Sequence, residues 1–563
     1  MLTNSTTIKP AAGVAMPTID GQGLGTVFDA QAPSVTFSGI EIEDGLGLGA
    51  PDLATQTGSG STPCSGAIGV GNGSTVTVAN SVFDDNSGTY GGAIGDDDCY
   101  DVTAGLSEAL NVTDSLFENN SATSYGASGN RYYGGGGAIA MAGGAAVDNM
   151  RVTNTTFLDN SAAGDGGAVS YGYLEGAGPG VISGSTFTGN VSENGNGGAI
   201  NNSAVDGNTT LEVKESTFYD NSALGSNYGN GGAIYADGSN LEQSSVTVLS
   251  STLSDNTSAN AGSALYNAPD GDLNVAGTIL SDPASGTNCA SGAQPIDDLF
   301  NLDSDGSCGF PSPHDIVGVD ADLGSLQQNG GPTETMEPSM SSPVVDQIPP
   351  MTEVTTGAGQ YKLCSAADQR GQTPLQSVFG CAIGSVNVQN NSLPIVTSIT
   401  PTTGPSAGGT TLTVTGVNLG GVTAVNFGGT AAASFNSVSS TSLTAVSAGG
   451  TGFALIEVTT PDGTSPYRSG AVYIYKATNA ITWTSPPPSS DDAGSNALLG
   501  ATATSGAPVT FTAYPATVCS MDAPGSDQVD FTAAGRCTVA AHSAATIFYY
   551  APPVAEATIA VEA

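Results

Sequence analysis

Basic side chains are nearly missing from this chain of 563 residues: nine Lys plus Arg stand against 51 Asp plus Glu, a formal net charge of −42. A field of that sign repels phosphate backbones and anionic headgroups, which excludes nucleic acid and leaves cations and cationic surfaces as the electrostatically natural partners. Histidine is almost absent as well, and neither His314 nor His542 has a pattern linking it to a Ser or Cys nucleophile. No run reaches the ~18 apolar residues needed to span a membrane. No amphipathic period of 3.6 residues extends over three turns, so helices of useful length are not expected. Residues 1–15 contain no basic segment followed by an apolar run, so no signal peptide is legible. The opening residues already read like the middle of a repeat array, and a fragment lacking its leader and its anchor is the expectation.

Cysteine is present without a single CxxC, which argues against zinc or redox chemistry. The eight fall into neighbouring couples: Cys64 with Cys99, Cys289 with Cys308, Cys364 with Cys381, and Cys519 with Cys537. Four local disulfides formed in an oxidising compartment are the natural interpretation, although eight cysteines allow about 105 pairings. The chain is therefore expected outside the cytoplasm, secreted or at the cell surface, and monomeric.

What the sequence does have is glycine, 79 positions of it, and a repeated unit. An aromatic is followed three residues on by Asn: Phe83 and Asn86, Phe117 and Asn120, Phe157 and Asn160, Phe187 and Asn190, Phe218 and Asn221, then Leu253 and Asn256. A Gly-Gly-Ala-aliphatic stretch answers each, ending at Ile94, Ile139, Val169, Ile200 and Ile234, with Leu265 closing a worn last copy. Short alternating runs such as Ser245–Leu249 lie between. A period near thirty residues with three short strands and no helix predicts an all-β protein whose main body is a right-handed parallel β-helix. In that geometry Phe and the aliphatic stack inward, Asn turns a corner in αL or bonds along a ladder, and Gly-Gly gives the turn its freedom.

These paired motifs resemble, over about 80–266, the repeats of polymorphic outer-membrane-protein-like β-helix proteins. The resemblance implies a surface adhesin or passenger domain, and no autotransporter barrel accompanies it here. Residues 297–388 resemble the end of the choice-of-anchor Q family in residues 301–310, 320–333, 342–347, 368–371 and 381–384, with Ala382 standing where that family usually has an acid. That resemblance implies closing rungs and a C-terminal cap stapled by Cys364 and Cys381, so the β-helix with its cap is placed at 1–390.

From 391 the pattern changes to alternating strands broken by Gly and Pro. Residues 394–475 closely resemble an IPT/TIG domain, and 478–563 resemble another bacterial Ig-like repeat. Two Ig-like sandwiches are expected at 391–476 and 477–563, acting as spacers or binding units, with Trp483 in a core.

Candidate chemistry is sparse. Asp96, Asp97 and Asp98 resemble the Gly-Asp-Asp-Cys stretch of polygalacturonase-like glycosidases, in which clustered aspartates supply acid and activate water. The other elements of that family are missing, and a lyase would need a base, for which the repeats offer only Arg131, Arg151 and Lys214. Gly404-Pro-Ser-Ala-Gly408 has no helix to follow it, so it is no nucleophile elbow. Asp96, Asp97, Asp98 and Asp101, and separately Asp303 and Asp305, offer hard oxygen ligands suited to Ca²⁺, though the second pair lacks the distal bidentate Glu of a calcium loop. The reading is a non-enzymatic, adhesin-like surface protein that displays a binding face for extracellular carbohydrate or protein. The alternative is a polysaccharide hydrolase or lyase built on the Asp96–Asp98 loop.

Overall fold

The computed structural model describes residues 1–47, 64–71, 73–96, 108–123, 135–141, 149–172, 178–204, 208–238, 244–281, 286–291, 298–356, 359–364, 366–373, 380–388, 392–466 and 468–563. The chain separates into two compact units, Met1–Asn390 and Asn391–Ala563. Both are all-β.

The first unit is a parallel β-helix. One rung runs Thr75–Ala79 in sheet 1, Val82–Asp84 in sheet 2, the two residues Ser87–Gly88 in a narrow corner sheet, and Ile94–Asp96 in sheet 3. Among the described residues sheets 1, 2 and 3 contain ten, eleven and nine strands, and the corner sheet six. Pairing is in register with the repeat: Phe83, Phe117, Phe157, Phe187 and Phe218 are successive partners in sheet 2, and Ile94, Ile139, Val169, Ile200 and Ile234 in sheet 3.

Two interior columns explain why the motif repeats. The phenyl rings stack at centroid distances of 4.6, 5.2, 4.5 and 4.6 Å from Phe83 to Phe218, close to the ~4.8 Å rung spacing that parallel strands impose. Beside them the asparagines form a closed ladder. The backbone N–H and the side-chain Nδ2 of Asn120 both donate to Asn160 Oδ1, at 3.1 and 3.0 Å, while Nδ2 also donates to the carbonyl of Phe83. The same pattern continues through Asn190, Asn221 and Asn256. Every amide proton of these buried side chains is used, so no unmet polar group offsets the burial.

The corner itself differs from expectation. Asn does not take the left-handed conformation; the residue before it does, at φ +52° for Asp85, +55° for Asn119, +52° for Asp159 and +54° for Asp220. Short Asp and Asn side chains tolerate that region, and this frees the next Asn to lie extended and join the ladder. The glycine pair also divides its work. The first has positive φ, as at Gly166 (+72°), whereas the second permits close approach: a Cβ on Gly167 would lie 2.0 Å from the carbonyl oxygen of Gly198.

The expected cap is also corrected. Residues 298–317 do close the array, pairing onto sheets 1 and 2. From 321 to 388, however, the chain folds back along the side of the coil. Thr333 Oγ1 donates to Gly184 O, Gly384 N to Gly277 O, and Ser385 N to Thr252 Oγ1. Gln369 is the central pin: its Nε2 lies 2.9 to 3.2 Å from Ser185 O, Thr186 Oγ1, Thr333 Oγ1 and Glu334 O, and its Oε1 accepts from Thr217 Oγ1. Polar threonines at outward sheet positions need partners once covered, and a strap of polar side chains supplies them. Next to Gln369, Asp368 receives the backbone N–H of Arg370, Gln372 and Asn387 as well as the Arg370 guanidinium.

The second unit contains two sandwich cores. One sheet of the first runs 395–400, 411–417, 442–446, 434–439, facing a sheet led by 452–460 and 472–476 over Leu412, Val414, Phe427, Leu443, Ile456 and Tyr473. The second core gathers Cys519, Val529, Phe531, Cys537, Val539 and Ile559. Trp483 packs partly buried against it, 5.7 Å from the Phe511 ring.

Candidate binding surface

Sheet 1 presents a lateral face made by strict alternation. Val76 and Val78, Leu110 and Val112, and Met150 and Val152 point inward and are buried, so their neighbours must point out. The outward column reads Thr36, Thr77, Asn111, Arg151 and Val181 in register, and a parallel one reads Thr113, Thr153 and Ser183. Hydroxyl and amide groups therefore recur at the rung spacing.

Sheet 2 has an outward face of two characters. Toward its first strands it carries Asp20, Glu41, Glu43, Asp84 and Glu118, with Asp44 and Asp85 at the adjoining corner. Partial burial, and then repulsion from Glu41, Asp20, Asp44 and Asp84, raises the pKa of Glu43 above its ordinary value. Glu118 is raised by the same two causes, with Asp84 the foremost neighbour, and Asp85 likewise. Farther along, Thr186, Thr217 and Thr252 occupy the equivalent outward places and are buried beneath the strap.

The segments joining sheet 3 to the next sheet 1 strand are the variable part of each rung, as between Ile94–Asp96 and Ala109–Thr113, or Ile139–Met141 and Asn149–Thr153. Insertions in a solenoid collect on one side in this way.

The residues singled out in the sequence are placed as follows. Asp96 ends a sheet 3 strand with its backbone opposite Val70; Asp97, Asp98, Cys99, Asp101 and Arg131 lie outside the described residues. Asp303 and Asp305 brace a loop. Asp303 accepts from Asn288 Nδ2 (2.9 Å) and Cys308 N (2.8 Å), Asp305 from Ser307 N and Asn288 N (both 2.9 Å). Burial raises the pKa of Asp303; it opposes the charge of Asp305 too, but the hydrogen bonds from Ser307 and Asn288 prevail and lower that pKa. Both carboxylates are thus engaged around the Cys289–Cys308 bridge. Cys364–Cys381 and Cys519–Cys537 are bonded as the spacing suggests, and Cys64 is disulfide-bonded too. His314 stacks on Phe300, and burial lowers its pKa; His542 meets Thr512. Arg151 is exposed on sheet 1, and Lys214 is paired with Glu212 at 2.6 Å. The strap and its pins at Thr186, Thr217 and Thr252 were not legible as a surface feature, because pairs some 150 residues apart in sequence leave no local pattern.

Comparison with known families finds an IPT/TIG domain at residues 394–474 and Chlamydia polymorphic membrane protein repeats at 154–171 and 215–237. No curated protein matches the chain. Among solved structures, a C-terminal fragment of intimin in complex with the translocated intimin receptor is similar at 15% identity, covering 30% of this chain, with a TM-score of 0.21. The chain spans 63% of that fragment. SGBP-B of Bacteroides ovatus, in complex with a mixed-linkage heptasaccharide, is similar at 15% identity over 32% of this chain and 48% of its own, TM-score 0.14. Polymorphic-membrane-protein repeats set on a parallel β-helix, with an Ig-like IPT/TIG domain after them, give this chain the features of a surface, adhesin-like protein.

Proposed function

We propose that the protein is a non-enzymatic surface or secreted protein. In this reading residues 1–390 display a lateral binding face for carbohydrate or protein, and the modules 391–476 and 477–563 act as stalk. The observation that carries the reading is the outward face of sheet 1. Its Thr, Ser and Asn side chains recur at the rung spacing on a backbone held rigid by the asparagine ladder and the phenyl stack. Groups fixed in that way lose little freedom on binding a repetitive polymer, which is the condition for useful affinity from many weak hydrogen bonds.

The test is a polysaccharide and glycoprotein panel read for binding and for product release, with and without calcium. Binding without turnover, lost in Thr113→Arg, supports the reading. Release of reducing or unsaturated sugars that stops in Asp97→Ala replaces it with a polysaccharide-cleaving enzyme. Silence in both channels leaves a bare stalk.

A further inference from the structure

A strand at the rim of a sheet leaves every second backbone N–H and C=O without a strand partner, and folded proteins blunt such rims with shortness, proline, charge or bulges. Among the described residues the Ig-like unit keeps that rule at every rim but one. Ile395–Thr400 lies between Pro394 and Pro401, and Val509–Tyr514 between Pro508 and Pro515. Thr403–Pro405 ends on its proline, Ser490–Asp492 carries two aspartates, and Ile481–Ser485 runs into Pro486. The other rim strands have two to four residues.

Ser434–Ser439 is the exception. It is the outer strand of a four-stranded sheet and pairs on one side only, with Ser442–Val446. All six of its residues are exposed, Phe435 at 38% and Val438 at 61% among them, so neither face of the strand is covered. Residues 391–456 contain no charge, and 406–460 no proline. The one irregularity, a register shift between Ser437 and Ser439, comes at the hairpin end and leaves Ser434–Ser437 regular.

We propose that Ser434–Ser439 is a self-pairing edge: the strand adds to its own counterpart in a second copy of this chain, antiparallel about a two-fold axis, and joins the two sheets into one. Charge decides for a second copy. The coil's 42 acidic residues against six basic ones repel any approach of two chains through it, and a cationic partner would be drawn there and not to this edge. Residues 391–456 have no charge to repel or attract, so the edge meets its own copy with no like charge opposite in any register. Backbone hydrogen bonds supply the attachment, and Phe435 and Val438 bring apolar surface otherwise left in water. The pairing also closes on itself. The far rim of the same sheet, Ile395–Thr400, is guarded by Pro394 and Pro401, so the product is a dimer and not a fibre.

The test is sedimentation equilibrium of the full chain over a range of concentrations at constant ionic strength, with hydrogen exchange at the two ends of the range. The mean mass should climb toward twice that of one chain, with a midpoint on the order of 10–100 μM for an interface this small. Peptides covering 434–439 should gain protection as concentration rises, while those covering 395–400 and 509–514 do not. Asn436→Lys, at an exposed position, brings two ammonium groups together across the pair and should weaken association about 10-fold or more. Thr413→Lys, exposed on an inner strand of the same sheet, adds the same charge away from the edge and should leave association unchanged. A single mass at every concentration overturns the proposal and leaves the edge to a strand of another protein. A dimer that survives Asn436→Lys, or whose added protection lies elsewhere, overturns it as well.

Discussion

The two units of this chain solve the same problem of packing β-strands with opposite economies of charge and neighbour. Of the 51 acidic residues, 42 lie within residues 1–390, together with six of the nine Lys and Arg. Residues 391–456 contain no charged residue at all. The coil binds each rung to its two neighbours through columns of identical side chains, and its outward faces are left to carry charge. The Ig-like unit closes a core between facing sheets, and its first sheet presents Thr and Ser outward, as at Thr411, Thr413 and Thr415. A solenoid tolerates sequence variation on its surface because its specificity is internal and one-dimensional. A sandwich must match two faces at once.

The largest expected effect breaks the coil's side of this comparison. Asn160→Ala removes a ladder member whose amide serves Asn190 and Phe117 while its oxygen receives both donors of Asn120. It leaves buried donors without an acceptor, and about 3–5 kcal/mol of stability should be lost. The loss should travel along the coil, so that hydrogen exchange quickens in both adjoining rungs, near Asn120 and Asn190. Leu412→Ala in the sandwich should cost a comparable 2–5 kcal/mol and leave every rung protected. Equal spreading in both units would remove the distinction drawn here.

How much of this was legible follows from the same contrast. The phenyl stack, the asparagine ladder and the array itself could be read from the sequence because each rung repeats its neighbour's solution. Asn86, Asn120 and Asn160 announce one another. The left-handed residue was assigned one place too late, to Asn instead of to Asp85 or Asp159, because both residue types favour αL and only the ladder decides between them. The strap was read as an end cap because its partners, Thr186 and Thr217, look like any other outward threonine. Nothing local marks that Gln369 covers them. The contact of Tyr361 with Glu215 went unremarked for the same reason: the two are 146 residues apart.

A second prediction separates two uses of glycine. In Gly167→Ala the new methyl would lie 2.0 Å from a backbone oxygen of the next rung, which cannot move without its own neighbours. A cost of about 3 kcal/mol or more is expected from overpacking against backbone. Gly429 of the sandwich has φ +77° with nothing near its missing Cβ, so Gly429→Ala should cost only the ~1 kcal/mol of a left-handed alanine. Urea unfolding followed separately for the two units reads both.

The smallest effect sharpens the comparison without mutating a core. Glu43, Asp85 and Glu118 all have raised pKa values, from burial and then from neighbouring carboxylates, Asp84 among them in each case. An acid raised in the folded state stabilises it fully below the unfolded pKa and loses that contribution as pH climbs through the folded value. The coil should therefore become slightly more heat-stable between pH 7 and pH 5, and again on adding salt at pH 7, because salt screens the exposed carboxylates. Glu118→Gln should reproduce part of the gain. The sandwich unit has only nine acidic residues among 173, so its calorimetric transition should move less under both changes. Were the sandwich transition to move as far as the coil's, the acidic face of sheet 2 would lose its place as the source of the difference. Were only the coil's to move, the cost of that face would be measured directly, and a cationic ligand that repays it would be recognised by the same shift.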